Sequence, residues 1–168
     1  MITANIHLGS NIFIDKSSNV NNVEIGSNTK IAANVNIFGS EQNLLEIGTD
    51  CYIGSNCLIE GFNAKVVIGS NVSFAQNVNL MSGSGPNASP LMQKIFPVIK
   101  GAVFIGDHSW IGASVIIMPN VSIGKYCIVA ANSYVNKSCD DYSIVGGNPA
   151  KLIRRLTESE IDKINSND

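Results

Sequence analysis

A period of six residues dominates this chain. Six consecutive units run from Ile105 to Asp140 (IGDHSW, IGASVI, IMPNVS, IGKYCI, VAANSY, VNKSCD), and each opens on Ile or Val with a small or β-branched residue four places later. Neither an α-helix nor a flat strand has this period. It is typical of a left-handed parallel β-helix, in which three units form one triangular coil and the coils stack at strand spacing, ~4.8 Å. The stacked pairs that this predicts are Ile105 over Ile123, Ile111 over Val129, and Ile117 over Val135.

The same phase continues upstream, so nearly the whole chain is predicted to be one all-β solenoid. Gly often follows the opening aliphatic residue, as at Gly26, Gly48 and Gly112, and Asn or Asp often stands two places further on. These residue types tolerate the backbone conformations that coil corners require. We therefore expect a left-handed β-helix domain over residues 1–156.

Composition restricts the classes of function. At 168 residues the chain suits one domain with an optional tail. A net charge of −2 gives no basic field, which argues against nucleic-acid or membrane-surface binding. The first residues, MITANIHLG, do not form a signal peptide, and no stretch of ~20 apolar residues follows. We expect a cytoplasmic protein.

The four cysteines could serve either metal binding or core packing. Cys51, Cys57, Cys127 and Cys139 all stand at the small, inward place of their units, and the sequence has no CxxC motif. Burial as compact apolar side chains explains them, and a reactive or ligating thiol is the alternative. We expect no metal site.

Two breaks in the period are candidate functional regions. The segment from Met81 to Ala102 abandons the repeat and contains three prolines before the coil resumes at Val103. A long loop ejected from a rigid solenoid usually serves binding or catalysis, although a tolerated insertion is the alternative. The second break is the end of the chain, where residues 157–168 form a predicted tail. There TESE, from Thr157 to Glu160, predicts a capping box and a short helix through Ile161 and Ile164.

The repeats, the ejected loop, the segment IGDHSWIGASVIIMPNVSIG and the closing YSIVGGNPAKLIRR together resemble the hexapeptide-repeat acyltransferases. The resemblance covers about residues 25–156 and is strongest to the maltose, galactoside and polysaccharide O-acetyltransferases. It implies a homotrimer that binds acetyl-CoA in the groove between neighbouring β-helices. The reaction it implies is acetyl transfer to a hydroxyl or amine of a saccharide or nucleotide sugar, as in polysaccharide biosynthesis.

The resemblance also implies roles for particular residues. Ala113, directly after Trp110-Ile111-Gly112, falls where backbone groups contact the pantetheine arm, and Trp110 matches an aromatic residue on the acceptor side. A corner aromatic that packs against the loop is the alternative for Trp110. The remaining cofactor positions implied by the resemblance are Ala131, Asn136 and Lys137, with Lys151 and Arg154 at the 3′-phosphate. These last two carry charge with no evident partner in the sequence.

The general base is where the sequence departs from the family pattern. The family loop begins with a short run that ends in a catalytic histidine, whereas the matching run here is Ser82-Gly83-Ser84-Gly85-Pro86. Ser82 and Ser84 are then candidates to orient the acceptor. The only histidines are His7, expected in the first coil away from any groove of the last coils, and His108, at a coil corner. His108 is the candidate base, and a plain turn residue is its alternative.

Several readings of function remain open. If His108 is not the base, the acceptor could be an amine that is already neutral, or the chain could be a degenerate, non-catalytic β-helix. A purely structural β-helix is a further alternative, and it predicts no cofactor. A carbonic anhydrase of this fold is excluded because it needs three zinc-binding histidines and the chain has two.

Overall fold

The computed structural model describes residues 4–166. Twelve strands precede the ejected loop: β1 (Ile6–Leu8), β2 (Phe13–Ile14), β3 (Asn19–Asn21), β4 (Val23–Ile25), β5 (Lys30–Ile31), β6 (Asn36–Phe38), β7 (Leu45–Ile47), β8 (Tyr52–Ile53), β9 (Leu58–Glu60), β10 (Val66–Ile68), β11 (Ser73–Phe74) and β12 (Asn79–Met81). The loop contains β13 (Gly83–Ser84), helix α1 (Pro90–Gln93) and β14 (Ile99–Lys100). After it come β15 (Val103–Ile105), β16 (Trp110–Ile111), β17 (Ile116–Ile117), β18 (Ser122–Ile123), β19 (Ile128–Val129), β20 (Tyr134–Val135), β21 (Ser143–Gly147), β22 (Ala150–Arg155) and helix α2 (Glu158–Asn165).

These strands form three long sheets, and the fold is a left-handed parallel β-helix. Sheet 1 has the order β1-β4-β7-β10-β15-β18, sheet 2 has the order β2-β5-β8-β11-β16-β19-β21-β22, and sheet 3 has the order β3-β6-β9-β12-β17-β20. Only the last pair, β21 with β22, is antiparallel within these sheets. The predicted ladders are confirmed, because Ile105 pairs with Ile123, Ile111 with Val129, and Ile117 with Val135.

The core is a narrow column of aliphatic side chains inside the three sheets. Short strands alternate inward and outward residues, so one or two side chains per strand point inward. Phe74, Ile111 and Leu80 are among the fully buried side chains, and the column also contains Cys51, Cys57 and Cys127. The predicted packing role of the cysteines is confirmed for these three, whereas Cys139 in the last coil is half-buried.

Asn and Gly support the corners in different ways. We call the turn from sheet 1 to sheet 2 corner 1, the next corner 2, and the return to sheet 1 corner 3. Asn28, Asn71 and most other corner residues two places after the Gly position adopt the left-handed conformation, with φ near 60°. The corner glycines have ordinary φ values and are required for space, since a Cβ on Gly26 would lie 2.6 Å from the carbonyl carbon of Gly48. The expectation of a special backbone conformation is therefore right for Asn and wrong for Gly.

Extra residues leave the coil at corner 3. The largest excursion follows β12 and ends before β15, as predicted. Two shorter excursions, between β6 and β7 and between β9 and β10, were not predicted. The chain then closes the last coil with the β21–β22 hairpin and α2. Helix α2 has the predicted capping box, in which Thr157 and Glu160 satisfy each other's backbone N–H groups. Neither helix within residues 4–166 has the length and apolar character needed to cross a membrane.

Candidate functional site

The ejected loop presents an apolar surface. It begins as a two-stranded ribbon in which Gly83 pairs with Lys100 and Ser84 with Ile99, and it carries the single turn of α1, capped by the side chain of Ser89. No residue of α1 is buried. The exposed apolar side chains of the loop are Leu91, Met92, Ile95, Phe96 and Ile99.

Ser82 and Ser84 occupy different environments at the base of this loop. The Ser82 side chain is completely buried. Its hydroxyl lies 3.1 Å from Oε1 of Glu60 and accepts hydrogen bonds from the backbone N–H groups of Asn63 and Ala64. These bonds tie the loop to the neighbouring corner 3, so the predicted acceptor role of Ser82 is corrected to a structural one. Ser84 is half-buried and remains accessible.

His108 lies at corner 1 in the left-handed conformation, with φ 58°. Its imidazole is exposed and stacks on the ring of Tyr126, with centroids 4.8 Å apart and planes within 1° of parallel. Two residues on, the Trp110 side chain on the outer face of sheet 2 is 54% exposed. The structure thus gives His108 both a turn position and an accessible ring, which keeps it available as a base.

An ion pair accompanies His108 along the same corner. Asp107 Oδ2 lies 3.0 Å from Nζ of Lys125 in the next coil, and Asp107 Oδ1 accepts a hydrogen bond from the Ser70 backbone N–H in the preceding coil. The hydrogen bond from Lys125 and that from Ser70 lower the pKa of the Asp107 carboxyl. A carboxylate is therefore fixed beside His108 at neutral pH.

Ala113 and Ala131 stack at corner 2. Ala113 is half-buried, and its carbonyl oxygen accepts a hydrogen bond from the N–H of Asn132, next to the exposed Ala131. A Cβ on Gly112 would lie 2.6 Å from the Ala131 nitrogen. This corner is therefore a narrow strip of small residues, which suits close approach of an extended chain such as pantetheine.

Lys137 and Lys151 line one cavity at the C-terminal end of the β-helix, with a volume of about 330 Å³. Among residues 4–166 neither lysine has an acidic partner. Arg155 lines the same cavity, and it pairs with Asp140 at 2.6 Å. Arg155 was not among the predicted site residues, because the alternation of β22 alone does not show which of two adjacent arginines faces the cavity.

Arg154 is not among the residues that line this cavity, and it forms an ion pair instead. Its guanidinium forms a two-bond pair with Glu160 of α2, at 2.7 and 2.9 Å. Together with the Thr157 backbone N–H, this lowers the pKa of Glu160 to about 2. The expectation that Arg154 has no structural partner is wrong, since its charge attaches the C-terminal helix to β22.

The structure brings the predicted residues together only in part. Lys137 and Lys151 share a cavity, and Ala113 stacks with Ala131, but His108 lies at a different corner from both pairs. Asn136 is exposed just after β20, towards corner 3. Exposed candidate residues thus lie on different sides of one solenoid, with His108 at corner 1, Ala131 at corner 2 and Asn136 towards corner 3.

A further cavity, about 790 Å³, is an open groove along sheet 1 and corner 1. It extends from His7 past Glu24 and Glu46 to Asp107. We expected His7 to lie away from any groove of the last coils, but this groove reaches the coil that carries His108. Within residues 4–166 no group of three or more His, Cys, Asp or Glu side chains could hold a metal ion.

Comparison with known proteins supports the resemblance to the hexapeptide-repeat acyltransferases. The family model described as bacterial transferase hexapeptide (six repeats) matches residues 102–137. The chain is 30% identical over 116 residues to a galactoside O-acetyltransferase of Lactococcus lactis, covering 69% of this chain and 55% of that protein. It is 34% identical over 115 residues to a chloramphenicol acetyltransferase of Escherichia coli, covering 67% of this chain and 55% of that protein. The chain thus spans little more than half the length of either relative.

Solved structures share the fold over almost the whole chain. One is a variant of AntD, an N-acyltransferase from Bacillus cereus in complex with dTDP-4-amino-4,6-dideoxyglucose and coenzyme A. It superposes with a TM-score of 0.81 at 24% identity, over 95% of this chain and 88% of that one. A hexapeptide transferase family protein from Anaplasma phagocytophilum has a TM-score of 0.75 at 22% identity, over 95% and 84%. These structures share the fold, and the family model and the relatives show that the chain belongs to the hexapeptide-repeat acyltransferases, which confirms the predicted resemblance.

Proposed function

We propose that this chain, whose repeats and left-handed β-helix are those of the hexapeptide-repeat acyltransferases, is an acetyl-CoA-dependent acetyltransferase acting on a saccharide or nucleotide sugar. The observation that carries the proposal is the basic cavity at the C-terminal end. Two unpaired lysines and a partly compensated arginine line one small cavity of a chain with a net charge of only −2. Such a cluster fits a multiply charged phosphate ligand.

Different residues would bind the cofactor, bind the acceptor and accept the proton during acyl transfer. Acetyl-CoA supplies the acetyl group as a thioester, and its phosphates would be held by Lys137 and Lys151, with Arg155 beside them. The small residues at corner 2, Ala113 and Ala131, leave room for the pantetheine arm. His108 would accept the proton that the acceptor loses as it attacks the thioester carbonyl, and Trp110 and Ser84 would contact the acceptor.

The acceptor that fits this chain best is an amine. No histidine stands in the loop from Met81 to Ala102, and the buried Ser82 cannot replace one. A fraction of an amine is neutral near physiological pH, so it needs less help from a base than a hydroxyl does. The amino-sugar nucleotide bound by AntD has the corresponding chemistry, and it supports a nucleotide-linked amino sugar as the acceptor class.

A homotrimer is part of the proposal. The candidate base lies at corner 1 and outside the lining of the basic cavity, which is at the C-terminal end, so a single copy does not place them around one cleft. Packing β-helices side by side brings a corner of one copy against a face of the next. The exposed apolar side chains of the ejected loop, including Leu91, Ile95 and Phe96, give such packing a driving force.

The test is an acceptor panel with acetyl-CoA, scored by release of the free CoA thiol and by the mass of the product. Amino sugars, their nucleotide-linked forms and the matching hydroxyl sugars form the panel. The proposal expects turnover on an amino-sugar acceptor. Turnover confined to hydroxyl sugars would show that the acceptor class is wrong, and CoA binding with no turnover on any acceptor would favour the degenerate β-helix.

A further inference from the structure

The type of residue at the left-handed position of corner 1 differs between the first and the last coils of the solenoid. Its occupants in chain order are Asn11, Asn28, Asp50, Asn71, His108, Tyr126 and Tyr142. Asn and Asp tolerate this conformation, whereas a bulky aromatic residue is strained in it. The two tyrosines have φ values of 55° and 60°. Such strain persists only where the surroundings over-determine it, and it is frequent at functional sites.

The three aromatic residues form one continuous stack. The ring centroids of Tyr126 and Tyr142 lie 5.2 Å apart with planes within 2° of parallel, continuing the stack of His108 on Tyr126. These spacings match the rise between coils, so the ring planes lie across the β-helix axis. The imidazole nitrogens lie in the ring plane, and their donor and acceptor directions therefore point sideways, out of the stack.

The backbone beneath the stack is held by a second row of contacts. Lys125 pairs with Asp107, and the Lys125 backbone N–H donates to Asp141 Oδ1 at 2.8 Å. The His108 N–H donates to the Ser70 carbonyl oxygen, and the Tyr126 N–H donates to that of Asp107. The backbone that carries the three rings is therefore fixed at this corner.

We propose that Tyr126 and Tyr142 are positioning residues that hold the His108 imidazole in one orientation, with Tyr126 in direct contact and Tyr142 supporting it. A general base acts only within hydrogen-bond reach of the proton that it removes, so a fixed ring direction raises the fraction of productive encounters. The catalytic part of this inference rests on the proposed function, whereas the fixed orientation does not.

The orientation is tested by NMR of the free protein. His108 and His7 are the two histidines, so His108→Asn assigns their ring signals. A ring stacked on Tyr126 has ring-proton shifts displaced upfield, and His7 is the internal reference. Tyr126→Asn restores the ordinary corner residue and should return the His108 shifts to the unstacked range, whereas Tyr126→Phe should keep them displaced. Unstacked shifts in the unchanged protein would overturn the proposal.

Kinetics separate this proposal from the proposed function. Tyr126→Asn should lower kcat about tenfold or more with the KM for acetyl-CoA within about twofold, Tyr126→Phe should restore kcat, and Tyr142→Asn should have a smaller effect. If His108→Asn abolishes turnover while Tyr126→Asn leaves kcat unchanged, the positioning role is wrong. The unchanged protein can show displaced His108 shifts while the His108→Asn variant keeps full activity. In that case the fixed orientation stands, and the proposed role of His108 as the base is wrong.

Discussion

Lys137 and Lys151 give the most direct prediction at the scale of single residues. Replacing both by Gln removes two unpaired charges from the cavity that we assign to the phosphates of CoA. Affinity for acetyl-CoA should fall by about 1–3 kcal/mol if one charge-assisted contact to the 3′-phosphate is lost. Dephospho-CoA should lose much less, and calorimetric titration of both ligands measures the difference.

Arg154 supplies the matched control for these two lysines. Its guanidinium is held by Glu160, so Arg154→Gln should leave both CoA affinities close to those of the unchanged protein. Equal losses for CoA and dephospho-CoA in the lysine double variant would refute the phosphate assignment. A selective loss in the Arg154 variant would show instead that the helix releases this residue to the ligand.

Ser82 gives a prediction about stability rather than binding. In Ser82→Ala, the backbone N–H of Ala64 loses its hydrogen-bond acceptor, whereas the Glu60 carboxylate keeps the backbone N–H groups of Phe62 and Ser82 as donors. An unsatisfied buried polar group costs about 1–3 kcal/mol, so the free energy of unfolding should fall by that amount in a denaturant titration. Ser84→Ala, at a half-buried position, should stay within about 0.5 kcal/mol. The reverse order would mean that Ser84, not Ser82, ties the loop to the solenoid.

At the scale of elements, α2 should detach as the pH falls. The pKa of Glu160 is about 2 in the folded protein, whereas an unperturbed Glu carboxyl has a pKa of 4.5. Because the folded value is the lower one, the stabilisation is complete above pH 4.5 and is lost as the pH falls towards 2. The protection factors of the amides of residues 158–165, measured by NMR and corrected for the intrinsic pH dependence of exchange, should fall over this window. Glu160→Gln should show low protection throughout, and a protection factor in that variant that still falls over the same window would contradict the pairing.

The elements also show how far sequence patterns lead. The hexad predicted the three-sheet column and its ladders because each inward residue repeats a steric requirement that every coil shares. The extra residues between β6 and β7 and between β9 and β10 escaped notice because the inward aliphatic pattern resumes directly after them, at Leu45 and Val66. The pairing of Arg154 with Glu160 depends on the direction in which the chain turns after β22, which periodicity does not encode. The aromatic stack was recognisable in principle, since His108 and Tyr126 stand where earlier coils have Asn or Asp.

At the scale of the whole molecule, the ejected loop should hold the proposed trimer together. Replacing Ile95 and Phe96 by Lys removes two exposed apolar side chains, and light scattering at micromolar concentration should then show monomers. Lys94→Gln, at the adjacent exposed position, is the control and should remain trimeric. A monomer in the unchanged protein would exclude both the trimer and a site formed between copies.

Binding of acetyl-CoA to the unchanged protein is the measurement that tests the central claim most directly. The account predicts saturable binding by isothermal titration, with one acetyl-CoA for each chain, and weaker binding of dephospho-CoA. It also predicts that acetyl-CoA raises the thermal midpoint, since a ligand that binds only the folded state stabilises it. No binding of acetyl-CoA at millimolar concentration, by a protein shown to be folded and trimeric, would contradict the claim that this β-helix is an acetyltransferase.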